Sequence, residues 1–265
     1  MTTNAANLLD LLLEHAAPER IIIQLQTALR EEARDRAAFR EWLKPDVKAE
    51  FINGRIIMHS PAKRGHNQTV KFISSLLDRF ADLHDAGEVA IEKALVGLER
   101  NDVEPDVCFW RTATAATFTD EMNVYPAPDL VVEVLSKSTK HRDRGVKMEA
   151  YALDGVTEYW LADPVKQTVE QYVLDDGSEE ATYELRGTFS GEEQLASYLL
   201  PKFRIPARAC FERAARGRRW RGWGWGGEDY GRLSASVWQG TFSGCSLANP
   251  RVGDPDGRQC EHQYK

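Results

Sequence analysis

The segment Leu130-Val131-Val132-Glu133-Val134-Leu135 constrains the fold of this chain more than any other. Its aliphatic residues run without alternation, which suits a strand covered on both faces and therefore a sheet layered on each side. A carboxylate inside such a strand loses its hydration unless something compensates it, and a cation is an obvious partner. The other reading of Glu133 is a strand-end acid paired with an arginine or a backbone donor.

A cation needs a second acid. Asp129 lies on the same strand face as Glu133, but at ~3.3 Å per residue it stands roughly 13 Å away, too far to share one ion. It reads instead as a turn residue after Pro128. Asp106, in Pro105-Asp106-Val107-Cys108-Phe109-Trp110, opens a separate strand. Neighbouring strands lie only ~4.8 Å apart, so acids on two of them can converge on one hard cation. Taken alone, Asp106 also reads as a Pro-Asp strand entry. Lys147 forms an i, i+4, i+8 row with Asp143 and Tyr151. That row is either a solvated Asp143–Lys147 pair, worth a few tenths of a kcal/mol, or an ammonium aimed at the site to orient or deprotonate an attacking water. Lys137 competes for that role, since residues 133, 135 and 137 share a face if the strand continues that far. Glu50, opening a hairpin strand, and His66, opening the next helix, read on their own as ordinary surface or capping residues.

Residues 1–43 read as helical, and Lys44-Pro45 ends that stretch because a residue before proline avoids the helical region. Asn53-Gly54 joins two short apolar segments as a two-residue hairpin turn. His66 to Leu83 carries helical spacing, and Val89–Leu98 and Val107–Trp110 read as strands. After the 130–135 run, Ser138 or Thr139 can cap a helix to Leu153, which Asp154-Gly155 terminates. Glu158–Ala162 and Thr168–Leu174 read as strands joined by an Asp163-Pro164 turn, and a last apolar segment reaches Phe211. This order predicts an α/β fold, a mixed central sheet flanked by helices, with an N-terminal helical extension. The expected division is an extension over 1–43, a domain over 44–213, and a Gly/Arg/Trp-rich tail over 214–265. Within the tail, RGRRWRGWGWGG has neither helix nor strand period and reads as disordered. Its Arg and Trp could hold nucleic acid by charge and stacking; the blander reading is a tail with no selected role, or an out-of-frame extension of the gene.

At 265 residues and 42% hydrophobic, the chain can bury one sizeable core. A net charge of -7 argues against holding nucleic acid by bulk electrostatics, so such a role needs a local basic surface and a metal ion. The four cysteines, at 108, 210, 245 and 260, form no CxxC pair and spell neither a zinc site nor a disulfide framework; Cys108 reads as a buried thiol. No signal peptide is discernible, and no stretch approaches the ~18 to 20 apolar residues of a spanning helix. A soluble, cytoplasmic setting without a membrane partner is expected.

Together, Ala49-Glu50-Phe51-Ile52-Asn53-Gly54, His66, Pro105-Asp106-Val107, the segment Pro128 to Ser136, Asp143, Lys147, Tyr151 and Gly155-Val156-Thr157-Glu158-Tyr159-Trp160 resemble the Uma-two family of endonucleases, within the restriction-endonuclease-like PD-(D/E)XK superfamily. The resemblance covers roughly residues 42–212. It implies that superfamily's fold, Mg²⁺ or Mn²⁺ as cofactor, nucleic acid and above all DNA as partner, and it allows a homodimer. The implied metal ligands are Asp106, Glu133 and the carbonyl of Val134, with Glu50 approaching from the preceding element. The lysine that usually stands two residues after the second acid is replaced by Leu135, and the resemblance passes its role to Lys147. Arg55 replaces an acid and Lys137 a proline common in similar sequences. The implied function is a metal-dependent endonuclease with Asp106, Glu133, Lys147 and Glu50 as catalytic residues, and with Lys63, Arg64, Lys140, Arg142 and Arg144 meeting the phosphate backbone. Its rivals are the same scaffold binding nucleic acid or a protein without cutting, and a small-substrate phosphatase.

Overall fold

The structure, a computed structural model, describes residues 5–44, 46–175, 177 and 181–212. The tail expected from residue 214, with Cys245 and Cys260, lies outside the described residues. The helical stretch at the N-terminus is two helices, α1 (Ala5–Leu13) and α2 (Pro18–Trp42). They separate because Pro18 can open a helix but cannot continue one. The hairpin forms from β1 (Ala49–Ile52) and β2 (Arg55–Met58). Asn53 at φ 47° and Gly54 at φ 75° supply the two left-handed residues such a turn requires. α3 (Arg64–His84) buries Val70, Ile73, Leu77 and Phe80 along one face.

The expected strand Val89–Leu98 is divided into β3 (Gly87–Ile91) and β4 (Leu95–Gly97), which join different sheets. Lys93, at φ 67°, turns the chain between them. There follow β5 (Asp102–Val103), β6 (Val107–Arg111), the single turn α4 (Thr112–Ala115), β7 (Val124–Tyr125) and β8 (Leu130–Val134). The helix expected up to Leu153 is likewise two, α5 (Lys140–Asp143) and α6 (Val146–Leu153), parted at Gly145. Neither has a side-chain cap of its own; the hydroxyl of Ser136 accepts the Thr139 N–H instead, at 3.2 Å. Then come β9 (Glu158–Asp163), β10 (Thr168–Asp175), β11 (Thr182–Ser190), β12 (Gln194–Ala196), β13 (Arg204–Pro206) and a 3₁₀ turn over Ala207–Cys210.

The main sheet has the order β11-β10-β9-β8-β6-β3, with β8 and β9 parallel and the other neighbours antiparallel. A second sheet runs β2-β1-β5-β4-β7, and β12 pairs with β13. The main sheet separates two cores by simple alternation. Val107, Phe109, Leu130, Val132 and Val134 join α3 in one. Cys108, Trp110 and Val131 join Tyr151 of α6 and Tyr159 in the other. Every residue of β8 is buried, as its unbroken apolar run predicts. Glu133 shares the parity of Val131 and therefore faces α6. α2 is tied down at its C-terminal end, where Phe39 packs on Phe51 with ring centroids 5.7 Å apart and Arg36 and Arg40 both bind Asp102. Among the described residues, no helix is long and apolar enough to cross a membrane.

Candidate active site

Pairing of β6 with β8 matches Val107 to Val132. The same antiparallel register carried one step further sets Asp106 opposite Glu133, where Cα atoms stand about 4.5–5.5 Å apart. β1 reaches this corner through its pairing with β5, Phe51 opposite Asp102, and the Glu104 N–H donates to Glu50 Oε1 at 3.1 Å. The residues predicted from sequence therefore arrive from four separate parts of the fold: Glu50 on β1, Asp106 immediately ahead of β6, Glu133 on β8 and Lys147 on α6.

Lys147 is 3% exposed, so the solvated Asp143–Lys147 pair is not what forms. Its ammonium donates to Glu50 Oε1 at 2.8 Å and lies 2.5 Å from Glu133 Oε1. One turn on, the Tyr151 hydroxyl donates to the same Glu133 oxygen at 2.8 Å. Asp143, one turn before, is also buried. The i, i+4, i+8 row therefore turns inward. Lys137 is exposed beyond the end of β8 and does not share the Glu133 face.

Charge is distributed unevenly. Burial opposes ionisation of Glu50, but the Lys147 ammonium and His59, 2.9 Å away, hold its carboxyl down at about 2. Glu133 behaves in the opposite way. Burial, reinforced by the charges of Asp143, Asp106 and Glu50, pushes it up to about 8 against the pull of Lys147. Lys147, against its own burial, is held well above its usual range by the surrounding carboxylates. It is a fixed cation rather than a base near neutral pH.

Asp106 looks outward from this chain of contacts. Its Oδ2 accepts the Val134 N–H at 2.8 Å and lies 3.1 Å from His66 Nε2. The amide of Val134 is thus tied to Asp106. Lys48 sits 3.8 Å from Asp106 Oδ1. His66 is no surface cap: its ring is largely buried and, although burial opposes it, Asp106 holds its pKa up. His66, Glu92 and Asp106 each offer one ligand atom within 4.8 Å of the others. Glu92, Lys48 and His59 were not singled out from sequence. Asp129 binds the Arg111 N–H at 2.8 Å and acts as the turn residue expected. Arg144, expected to meet phosphate, makes two 2.6 Å bonds to Glu170.

Glu158 went unremarked as chemistry although it lies in the Gly155–Trp160 segment. It is fully buried and accepts four bonds: Trp160 Nε1 and Ser197 Oγ at 2.7 Å, Gln171 Nε2 at 2.6 Å and the Leu199 N–H at 2.8 Å. Such a cradle holds a structural carboxylate.

The model of the Uma2 family, described as "Putative restriction endonuclease", matches residues 36–208. Among solved structures, one described as the crystal structure of "a putative nuclease belonging to DUF820" from Anabaena variabilis superposes with a TM-score of 0.55 at 17% identity, covering 65% of this chain and 94% of that one. At that identity the likeness shows the fold. No curated protein matches the chain.

Proposed function

This chain belongs to the Uma2 family of restriction-endonuclease-like nucleases over residues 36–208, and from that premise we propose that it is a divalent-metal-dependent endonuclease acting on DNA phosphodiesters. The observation that carries the reading is the buried Glu50–Lys147–Glu133 chain of contacts set against Asp106 on the adjoining strand. Asp106 and Glu133 would hold Mg²⁺ or Mn²⁺. The donor set fits a hard ion, because Lys147 and Tyr151 both engage Oε1 of Glu133 and leave Oε2 as the oxygen to face a cation. Carboxylate oxygens are what such ions take. Glu133 would serve such an ion in its ionised form, since a double positive charge outweighs the burial and the neighbouring carboxylates that raise its pKa.

An ion held by Asp106 and Glu133 would supply Lewis acidity toward a phosphoryl oxygen and lower the pKa of a coordinated water. Lys147 holds its proton and presents a fixed positive charge where charge builds on the scissile phosphate. Glu50 keeps Lys147 in place by ion pairing, and Tyr151 orients Glu133. Lys63, Arg64 and Lys140, all exposed, offer local positive charge for the DNA backbone on a chain whose net charge is -7.

Purified full-length chain incubated with supercoiled plasmid and Mg²⁺ or Mn²⁺ is expected to nick it. Asp106→Asn and Glu133→Gln are each expected to abolish nicking while far-UV circular dichroism stays unchanged. Cleavage surviving both changes refutes the assignment. One observation favours a second reading, a scaffold that binds nucleic acid without cutting it: Lys147 is already engaged internally by both Glu50 and Glu133. Retention of DNA by the wild-type chain with no turnover in either metal would support it.

A further inference from the structure

Lys48, just ahead of β1, sets its ammonium between two carboxylates from separate parts of the chain, 3.8 Å from Asp106 Oδ1 and 3.9 Å from Glu92 Oε2. From α3, His66 Nε2 reaches within 3.1 Å of Asp106 Oδ2. Ligands at right angles on an ion with ~2.1 Å bonds lie roughly 3 Å apart, and opposed ligands roughly 4.2 Å. The His66, Glu92 and Asp106 ligand atoms, all within 4.8 Å of one another, fit that envelope after a small swing of the partly exposed Glu92 side chain. A further carboxylate bears on the same corner. Glu104, two residues before Asp106, is buried with Oε2 accepting no hydrogen bond among the described residues, and Lys48 exerts its charge on it. Two acids thus flank one lysine ammonium, which stands where a cation would, and its charge reaches the third, Glu104.

We propose that His66, Glu92 and Asp106 form a cation site of their own, specific for a divalent transition ion of the Mn²⁺ or Zn²⁺ kind, with Lys48 neutralising the acids until the ion displaces it. An imidazole beside two carboxylates suits first-row transition ions, whereas Mg²⁺ prefers oxygen throughout its shell. The site deepens the nuclease reading only through Asp106, which both share. Glu92 and His66 take no part in the Asp106–Glu133 pair, so the two assignments can fail separately.

The test is titration of Mn²⁺ into the full chain, with bound ion followed by electron paramagnetic resonance and its ¹⁴N coupling by pulsed methods. Wild type is expected to bind Mn²⁺ with the coupling of a directly ligated imidazole. Glu92→Gln should weaken that binding by on the order of 10-fold or more, and His66→Gln should remove the nitrogen coupling. Glu133→Gln should leave the imidazole-coupled ion in place and remove only ion held without that coupling, and Lys48→Met should tighten binding of the coupled ion severalfold. Thermal melts near wild type show that each variant is folded. Absence of nitrogen coupling from all of the bound Mn²⁺, or an imidazole-coupled ion held equally well by Glu92→Gln, overturns the site. Imidazole-ligated Mn²⁺ in a chain that never nicks DNA would sink the nuclease reading and leave this site standing.

Discussion

The Tyr151 hydroxyl donates to Oε1 of Glu133 at 2.8 Å in a fully enclosed setting. Lys147 engages the same oxygen, so the protein holds this carboxylate through Oε1. Tyr151→Phe keeps the ring in the core formed with Tyr159 and Leu161 and removes only the orienting donor. Loss of such a supporting bond typically costs 10–100-fold, or about 1.4–2.7 kcal/mol, in metal affinity or activity. Nicking rate and Mn²⁺ affinity are expected to fall together within that range, with the melting temperature moving little.

Lys147 is the cation between two buried acids, and its removal should be felt in folding before it is felt in chemistry. Lys147→Met leaves Glu50 and Glu133 facing each other in a dry interior, and breaking a buried pair in this way costs about 3–5 kcal/mol. Urea unfolding should show that loss. Adding Glu50→Gln to the same chain should recover part of the stability, while nicking remains absent. A double variant no more stable than the single would mean that the two side chains are not coupled.

Asp102 governs the acid limb of stability. Burial opposes its ionisation, but bonds from Arg40 and Arg36, at 2.6–2.8 Å, hold its pKa below the ordinary value. With the folded value depressed, the contribution is complete above the unfolded pKa of about 3.9 and disappears as pH falls through the folded value. Wild type is therefore expected to lose stability steeply below about pH 4. Asp102→Asn should be less stable at neutral pH and show a shallower acid limb, both read by chemical denaturation from pH 7 downward. Because the same arginines anchor α2, the variant should also speed proteolysis in that helix.

Glu158 serves four donors at once. Glu158→Ala strands those groups in a dry interior, and at ~1–3 kcal/mol for each unsatisfied group the loss should rival the whole stability of a typical domain. Expression in the insoluble fraction, or a collapsed melting transition, is the expected outcome. A soluble chain melting within a few degrees of wild type would contradict the structural role given to this residue.

Much of this was legible in the chain itself, for identifiable reasons. The unbroken apolar run around Glu133 needs cover on both faces, and β8 has it. Asn53-Gly54 encodes left-handed backbone, and the hairpin turns there. The spacing of Asp143, Lys147 and Tyr151 marks one helical face, although only tertiary structure decides that this face turns inward. Gly145 and Lys93 interrupt elements that periodicity reads as continuous, because a break one or two residues long leaves the surrounding apolar pattern unchanged. Glu92 was hidden for that reason: inside an assumed strand it is one more charge, whereas at the break it swings toward Asp106. Glu158 was hidden by distance, since its partners Gln171, Ser197 and Leu199 lie 13, 39 and 41 residues away, and no local pattern reports them.

A strand that packs α3 with its even-numbered residues and presents Glu133 with an odd one cannot be adjusted on one side alone. Sliding β8 by a single residue would bury Glu133 against Ile73 and Leu77 and offer a valine to Lys147. Chemistry and cohesion thus share one register, and this strand has no partly working form. Its amides at Val132 and Val134 should exchange with solvent only when the whole domain opens, so in this molecule the lifetime of the native state is also the lifetime of the site.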